Sequence, residues 1–221
     1  MTFISDSLNR IKPSATMVIT AKATQLKREG KKVIGLSSGE PDFDTPQHVK
    51  QAAIDAINSG YTKYTNIEGI PELRQSIVEK FKKDNDLNYD VSNVIVGTGG
   101  KQILFNALMS SLNKDDEVII PAPYWVSYPD MTLLAGGKPI FVDCSSETNF
   151  KLTGEALDKV ITKNSKWLIL NSPSNPTGSC YSIIELEEIA NVVRKHENLY
   201  VMTDDIYEYI VYDNFKFYTL A

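Results

Sequence analysis

The sequence predicts an α/β fold whose mainly parallel sheet carries helices on both faces. Two observations support this prediction. From residue 93 onward, short apolar runs alternate regularly with amphipathic helical patterns. The apolar runs, of which Trp167-Leu168-Ile169-Leu170 is typical, show no polar alternation, and strands of this kind are buried on both faces, as in parallel sheets.

The first ~90 residues predict mostly helix and loop. A helix is expected over residues 15–29, where Gly30 ends it after basic residues in the last turn. Residues 33–36 are a short strand candidate. A second helix should follow Thr45-Pro46 and run to about residue 58, and Pro71 should open a third that reaches about residue 84.

The remaining residues predict five strands and four helices in alternation. Ser182-Ile183-Ile184-Glu185 forms a capping box that marks one helix start. The expected strands are 94–96, 117–120, 138–142, 167–170 and 200–202, and the expected helices are 99–112, 124–135, 153–161 and 182–195.

The composition excludes several classes of function. The formal net charge is −5, whereas proteins that bind nucleic acid carry a basic face. The sequence has no apolar stretch long enough to span a bilayer and no signal peptide at its start. Cys144 and Cys180 are the only cysteines and lie far apart, so we expect neither a disulfide framework nor a metal site, and the cytoplasm is the simplest compartment.

Ligands of parallel sheets collect at the carboxyl ends of the strands, and three predicted loops lie there. Residues 97–101 form a glycine turn that leads into a helix, whose free N–H groups make an anion site. A plain strand-to-helix turn remains an equal alternative, since Gln102 breaks both the Walker and the dinucleotide pattern. In residues 171–178 two prolines stiffen the backbone around Asn175, which fits a ligand contact or a structural turn.

The third loop, residues 203–207, supplies a carboxylate and a phenol. Asp204 stands at a strand end, where it is partly desolvated and needs a cationic partner. Tyr207 can lie on the same side if a helical turn follows Asp204. Phosphate donors, an aromatic side chain, an amide, a carboxylate and a phenol together describe a site for a phosphorylated, planar cofactor with a ring nitrogen.

Six ordered motifs spanning the chain carry a family resemblance. They resemble the pyridoxal-phosphate aminotransferases of fold type I, and within them the bacterial aspartate aminotransferase branch that includes aspartate/prephenate enzymes. The motifs are Ser38-Gly39-Glu40-Pro41-Asp42-Phe43-Asp44-Thr45-Pro46, Tyr64, Gly99-Gly100-Lys101-Gln102, Pro123-Tyr124-Trp125-Val126-Ser127-Tyr128, Asn171-Ser172-Pro173-Ser174-Asn175-Pro176-Thr177-Gly178 and Asp204-Asp205-Ile206-Tyr207-Glu208.

The resemblance implies a role in cofactor binding for eight residues. Gly99, Gly100 and Lys101 would lie at the phosphate of pyridoxal 5′-phosphate, and Trp125 would stack on its ring. The remaining expected contacts are Asn175 and Tyr207 to the phenolic oxygen, Asp204 to the ring nitrogen, and Tyr64 to the phosphate in the neighbouring subunit of a homodimer.

The resemblance also implies substrate contacts and a reaction. Gly39, Trp125 and Asn175 would contact the substrate, Lys12 would recognise a dicarboxylate or prephenate, and Lys101 would attract the distal carboxylate. The implied reaction moves an amino group from L-aspartate, or a similar dicarboxylic amino acid, to 2-oxoglutarate. An aromatic or prephenate aminotransferase, a carbon–sulfur lyase of the same fold, and a non-catalytic chain that binds only phosphate or cofactor are the alternatives.

The sequence departs from the family pattern in two respects. Asp205 stands where most relatives have Glu. The family's Schiff-base lysine and carboxylate-binding arginine would lie beyond residue 221, and Lys216 lies in no such motif, so we expect the 221-residue chain to be inactive alone. We expect residues 1–45 to form an N-terminal arm and part of a small domain, and residues 46–221 an incomplete large cofactor-binding domain.

Overall fold

The computed structural model of the chain describes residues 3–36, 39 and 41–221. These residues form two compact units. The larger unit joins the residues up to Ile11 with Pro71–Ala221, and the smaller unit is Lys12–Ile70. The domain boundary expected between residues 45 and 46 stays a prediction.

The described residues of the smaller unit form two helices, as the sequence predicts. α1 spans Ala15–Arg28 and begins where the Ser14 side chain accepts a hydrogen bond from the backbone N–H of Met17. α2 spans Gln47–Asn58 and follows Pro46. The strand predicted at residues 33–36 is wrong: these residues line a groove beside α1, but they form no helix or strand and pair with no strand of the described chain. An apolar run becomes a strand only when its backbone finds a partner.

The larger unit is built on a four-stranded parallel sheet. The strands are β1 (Glu117–Ala122), β2 (Lys138–Asp143), β3 (Ser165–Asn171) and β4 (Tyr200–Asp204). Their order across the sheet is β2-β1-β3-β4, and every neighbouring pair is parallel. The predicted α/β class and parallel sheet are confirmed.

The fifth predicted strand, at residues 94–96, is wrong. Residues 94–96 follow a 3-10 turn at Val91–Asn93 and pair with no strand of the described chain. The Arg74 guanidinium instead donates hydrogen bonds to the carbonyl oxygens of Val94 and Val91, at 2.9 and 2.6 Å. The Arg74 side chain thus provides hydrogen bonds to backbone carbonyl oxygens, bonds that a neighbouring strand would provide in a sheet.

The larger unit also has five α-helices within the described residues. They are α3 (Pro71–Asn85), α4 (Gly100–Ser111), α5 (Ser127–Leu134), α6 (Gly154–Val160) and α7 (Ile183–Val193). The predicted capping box is confirmed, because Ser182 and Glu185 exchange backbone-to-side-chain hydrogen bonds. α5 begins three residues later than predicted; the Tyr124 ring before it stacks on Phe141 of β2. No helix of the described chain is long and apolar enough to cross a membrane.

Helices cover both faces of the sheet, as predicted. Ile119 and Leu168 belong to one buried cluster, which includes Leu157 of α6 and Ile189 of α7. Val118, Ile120 and Ile169, their neighbours along β1 and β3, belong to the other cluster with side chains of α4 and α5. Successive strand residues point to opposite faces, so the sheet is the buried middle layer and its carboxyl edge is left for loops.

Candidate functional site

A cavity of about 300 Å³ lies at the carboxyl ends of β3 and β4. All seven site residues that the sequence predicts in the larger unit line it: Gly99, Gly100, Lys101, Trp125, Asn175, Asp204 and Tyr207. Four further lining residues were not predicted: Leu104, Tyr128, Asn171 and Ile206. The sheet and its flanking helices therefore bring together side chains that are about 100 positions apart in sequence.

The glycine turn before α4 forms one wall of the cavity. Gly99 is the N-cap of α4 and has φ of +83°, a backbone conformation that favours glycine. The Gln102 side chain accepts a hydrogen bond from the backbone N–H of Thr98 and closes the turn. The first N–H groups of a helix have no partner within the helix, so this wall can bind an anion.

Trp125 supplies an aromatic surface. Its ring packs edge-on against Tyr128, with the ring centroids 5.3 Å apart and the planes at 80°. The Nζ atom of Lys101 lies 4.9 Å from the centroid of the Trp125 ring, a cation–π distance. The indole is an aromatic surface for a flat ligand, and the Lys101 ammonium lies over its ring.

Asp204, the last residue of β4, is the carboxylate of the site. The Tyr128 hydroxyl donates a hydrogen bond to its Oδ2 atom at 2.7 Å. Burial, and then the charge of Asp204, raise the pKa of Tyr128, so the phenol stays protonated and remains a donor. The Oδ1 atom of Asp204 accepts no hydrogen bond from the described residues, so one carboxylate oxygen is left for a ligand.

The loop after β3 carries Asn175 into the cavity wall. Two of its own backbone hydrogen bonds brace it, from Ser174 to the Ser179 carbonyl at 3.0 Å and from Gly178 to the Ser174 carbonyl at 2.8 Å. Within the described chain, neither the Asn175 side-chain amide nor the Tyr207 hydroxyl has a hydrogen-bond partner. An amide and a phenol are thus available beside the carboxylate.

Three predicted site residues belong to the smaller unit. Lys12, Gly39 and Tyr64 are all exposed there, Tyr64 fully so. Their expected roles stay predictions. Ser38 and Glu40, which flank Gly39 in its motif, lie outside the described residues.

Two residues of the cavity could have been found by closer reading of the sequence. Tyr128 follows Trp125 at a helical spacing of three, which places both side chains on one side of a turn. Asn171 is the polar residue that ends the apolar run 167–170, where a parallel strand reaches the ligand edge. Neither spacing reveals the hydrogen bonds that the two side chains make.

Comparison with known proteins places these residues in context. A family model described as aminotransferase class I and II matches residues 31–221. A probable aspartate/prephenate aminotransferase of Rickettsia bellii is 61% identical over the whole chain, which covers 55% of that relative. An aspartate/prephenate aminotransferase of Cereibacter sphaeroides is 56% identical, and the chain again covers 55% of it.

Solved structures match the fold equally well. The aspartate aminotransferase of Rhizobium meliloti superposes with a TM-score of 0.96 at 48% identity, covering all of this chain and 55% of that one. The Thermus thermophilus aspartate aminotransferase solved with maleate gives 0.95 at 43% identity, covering all of this chain and 57% of that one. The chain therefore spans about half the length of the relatives it matches.

Proposed function

The chain belongs to the class I and II aminotransferases, and from this we propose that its cavity binds pyridoxal 5′-phosphate. We further propose that the whole protein moves an amino group from L-aspartate, or a similar dicarboxylic amino acid, to 2-oxoglutarate. The observation that supports this most directly is the state of Asp204, since Tyr128 holds one carboxylate oxygen and leaves the other without a partner among the described residues. Such a carboxylate suits a protonated ring nitrogen.

The residues of the cavity fit the parts of this cofactor. Gly99 and Gly100 would lie at the phosphate, which the first backbone N–H groups of α4, those of Gly100 and Lys101, would hold together with the Lys101 ammonium. Trp125 would pack against the ring. The unpartnered amide of Asn175 and hydroxyl of Tyr207 would hold the phenolic oxygen.

Asp204 would keep the ring nitrogen protonated. When bound, the protonated ring supplies an electron sink for a carbanion formed on the substrate. Trp125 and Leu104 would exclude water from one side of the ring. The chain's own residues thus bind and orient the ring and hold its proton.

The proposed substrate is a dicarboxylic amino acid. The similar solved structures support this, because they are aspartate aminotransferases and one was solved with maleate, itself a dicarboxylate. Gly39, Trp125 and Asn175 would contact the substrate, and Lys12 and Lys101 would attract its carboxylates. Prephenate is a second candidate amino acceptor, since the similar proteins of Rickettsia bellii and Cereibacter sphaeroides are, respectively, a probable aspartate/prephenate aminotransferase and an aspartate/prephenate aminotransferase.

We also propose that the whole protein is a cytoplasmic homodimer. Tyr64 is fully exposed in this chain, which leaves its hydroxyl accessible to the phosphate of a neighbouring subunit. Cys144 and Cys180 are both free thiols, as in a reducing compartment.

The 221-residue chain itself should bind the cofactor without turnover. Lys101 is the only lysine among the described residues that line the cavity, and it is assigned to the phosphate. The Nζ atom of Lys216 instead lies 5.1 Å from the ring centroid of Tyr218 and lines no part of the cavity. The described residues of the cavity therefore lack a second lysine, the base that the family uses to move the substrate proton.

Borohydride reduction in the presence of pyridoxal 5′-phosphate tests this assignment. We expect saturable, reversible binding, no covalently retained label in the mass spectrum of the cavity peptides, and no aspartate transamination. A label on Lys101 together with turnover would contradict the assignment. For the complete protein, aspartate with 2-oxoglutarate or prephenate as acceptor, and cystathionine as a lyase substrate, separate the candidate reactions; absence of aspartate activity would exclude the first.

A further inference from the structure

Asn171 is the last residue of β3, and its register partner Asp204 is the last residue of β4. The parallel ladder ends at this pair. Beyond it, the backbone groups of both strands need other hydrogen-bond partners. The Asn171 side chain is half-buried at this point and lines the cavity.

The side-chain amide of Asn171 makes two hydrogen bonds. Its Nδ2 atom donates to the backbone carbonyl oxygen of Asp204 at 2.6 Å. Its Oδ1 atom accepts from the backbone N–H of Asn175 at 2.7 Å. A side-chain amide offers a donor and an acceptor in one rigid plane, so a single group connects the end of β4 with the loop after β3.

These two hydrogen bonds hold Asp204 and Asn175, the two residues that we propose to contact the ring of pyridoxal 5′-phosphate most directly. Asp204 would meet the ring nitrogen and Asn175 the phenolic oxygen, which are different atoms of one planar molecule. Both residues can serve the ring together only if their spacing is correct. Tyr128 orients the Asp204 carboxylate, whereas Asn171 holds the main chain of Asp204 and of Asn175.

We propose that Asn171 is a positioning residue that fixes the spacing between Asp204 and Asn175. The choice of ligand rests on the function proposed above, but the contacts do not. The rest of the loop is braced separately, by the Ser174–Ser179 and Gly178–Ser174 hydrogen bonds. Loss of the Asn171 amide should therefore loosen Asn175 selectively and leave the loop's own turn in place.

Hydrogen exchange in the ligand-free chain tests the positioning. The backbone amide of Asn175 should exchange about tenfold faster in Asn171→Ala, since a single hydrogen bond protects it. Asn171→Asp keeps an oxygen acceptor for this amide and should exchange near the wild-type rate. Asn164→Ala, which changes an exposed asparagine before the opposite end of β3, is the matched control and should change nothing at Asn175.

Ligand binding tests the consequence. Asn171→Ala should weaken binding of pyridoxal 5′-phosphate about fivefold to tenfold, and should weaken binding of the analogue lacking the 3-hydroxyl group by a smaller factor. Adding Asn175→Ala to Asn171→Ala should cost less affinity than Asn175→Ala costs alone, because the first change acts through Asn175. Circular dichroism shows whether each variant is folded. If Asn171→Ala is not folded, Asn171→Asp replaces it in the binding measurement, because it loses the hydrogen bond to the Asp204 carbonyl and keeps the acceptor for the Asn175 N–H.

The outcomes separate the two proposals. Unchanged exchange of the Asn175 amide in Asn171→Ala would overturn the positioning role whatever the ligand does. Equal loss of affinity for both ligands, with additive effects of the two substitutions, would also overturn it and indicate a general structural role. If the wild-type chain binds no pyridoxal 5′-phosphate, the proposed function fails for this chain, while the exchange experiment still decides the role of Asn171.

Discussion

The Tyr128 hydroxyl donates a 2.7 Å hydrogen bond to Oδ2 of Asp204, and so joins α5 to the carboxyl end of β4. Both residues line the cavity, and the Tyr128 side chain is almost fully buried. A buried phenol beside a carboxylate stays protonated, because burial and the negative charge both raise its pKa. The bond therefore presents Asp204 in one orientation.

Replacement of this phenol is the first prediction. Tyr128→Phe should lower the free energy of unfolding by about 1–2 kcal/mol, because a partly buried carboxylate loses a hydrogen-bond donor. It should also weaken binding of pyridoxal 5′-phosphate several-fold, since Asp204 is no longer held. Urea unfolding and ligand titration measure the two effects.

Tyr124→Phe is the control for this change. Tyr124 is a neighbouring tyrosine whose ring stacks on Phe141, with the centroids 5.0 Å apart, and loss of its hydroxyl keeps that contact. Affinity should stay at the wild-type value. If Tyr124→Phe and Tyr128→Phe weaken ligand binding equally, the hydrogen bond from Tyr128 to Asp204 makes no specific contribution to affinity.

The second prediction uses the two tryptophans of the chain. If the ring packs against Trp125, binding of pyridoxal 5′-phosphate should quench its fluorescence strongly. Trp167→Phe should keep most of the quenching, because the Trp167 side chain lies elsewhere and donates its N–H to Ser111. Trp125→Phe should remove most of it. Retained quenching in Trp125→Phe would place the ligand away from this aromatic surface.

The third prediction compares the two glycines at the start of α4. Gly99 has φ of +83°, so Gly99→Ala should destabilise the folded chain by about 1 kcal/mol. Gly100 is the first helical residue, and an added methyl group would meet nothing within 4 Å. Gly100→Ala should therefore be neutral or slightly stabilising. Thermal unfolding of the two variants decides, and a larger loss in Gly100→Ala would contradict the assigned turn.

The fourth prediction concerns Asp205, beside the site carboxylate. Burial, with smaller contributions from the charges of Glu208 and Asp204, raises the pKa of Asp205 from 3.8 to about 6, against a 2.7 Å hydrogen bond from Thr219. Between these two pKa values the folded chain binds more protons than the unfolded chain. The free energy of unfolding should therefore fall as pH rises from about 4 to 6, by up to about 3 kcal/mol, and this contribution should stay constant above.

Substitution at Asp205 tests this pH dependence. Asp205→Asn cannot ionise but can still accept from Thr219, so it should be more stable than wild type at pH 8 and lose that advantage as pH falls towards 4. Thr219→Val removes the hydrogen bond that favours the charged form, so it should destabilise most at pH 8. Denaturant unfolding at several pH values measures both, and a pH-independent difference for Asp205→Asn would refute the raised pKa.

The sequence predicts well those parts of the molecule whose structure depends on local patterns of residues. β3 and the loop after it can be recognised in the sequence, because few other local structures are compatible with a fully apolar run followed by closely spaced prolines. The two incorrect strands, at residues 33–36 and 94–96, are equally apolar, but strand formation depends on a partner distant in sequence. The same limit applies to Tyr128 and Asn171: their residue types are visible, whereas their bonds to Asp204 exist only after the sheet has formed.

The walls of the cavity come from four separate segments of the larger unit, around residues 99–104, 125–128, 171–175 and 204–207. No short peptide of the chain contains all four segments. A ligand of the cavity should therefore bind the folded unit and have no affinity for the unfolded chain. Occupancy at a hundredfold excess over Kd should then raise the free energy of unfolding by about 2.7 kcal/mol. The midpoint of thermal unfolding should therefore rise with ligand concentration, and this rise reports binding to the assembled cavity.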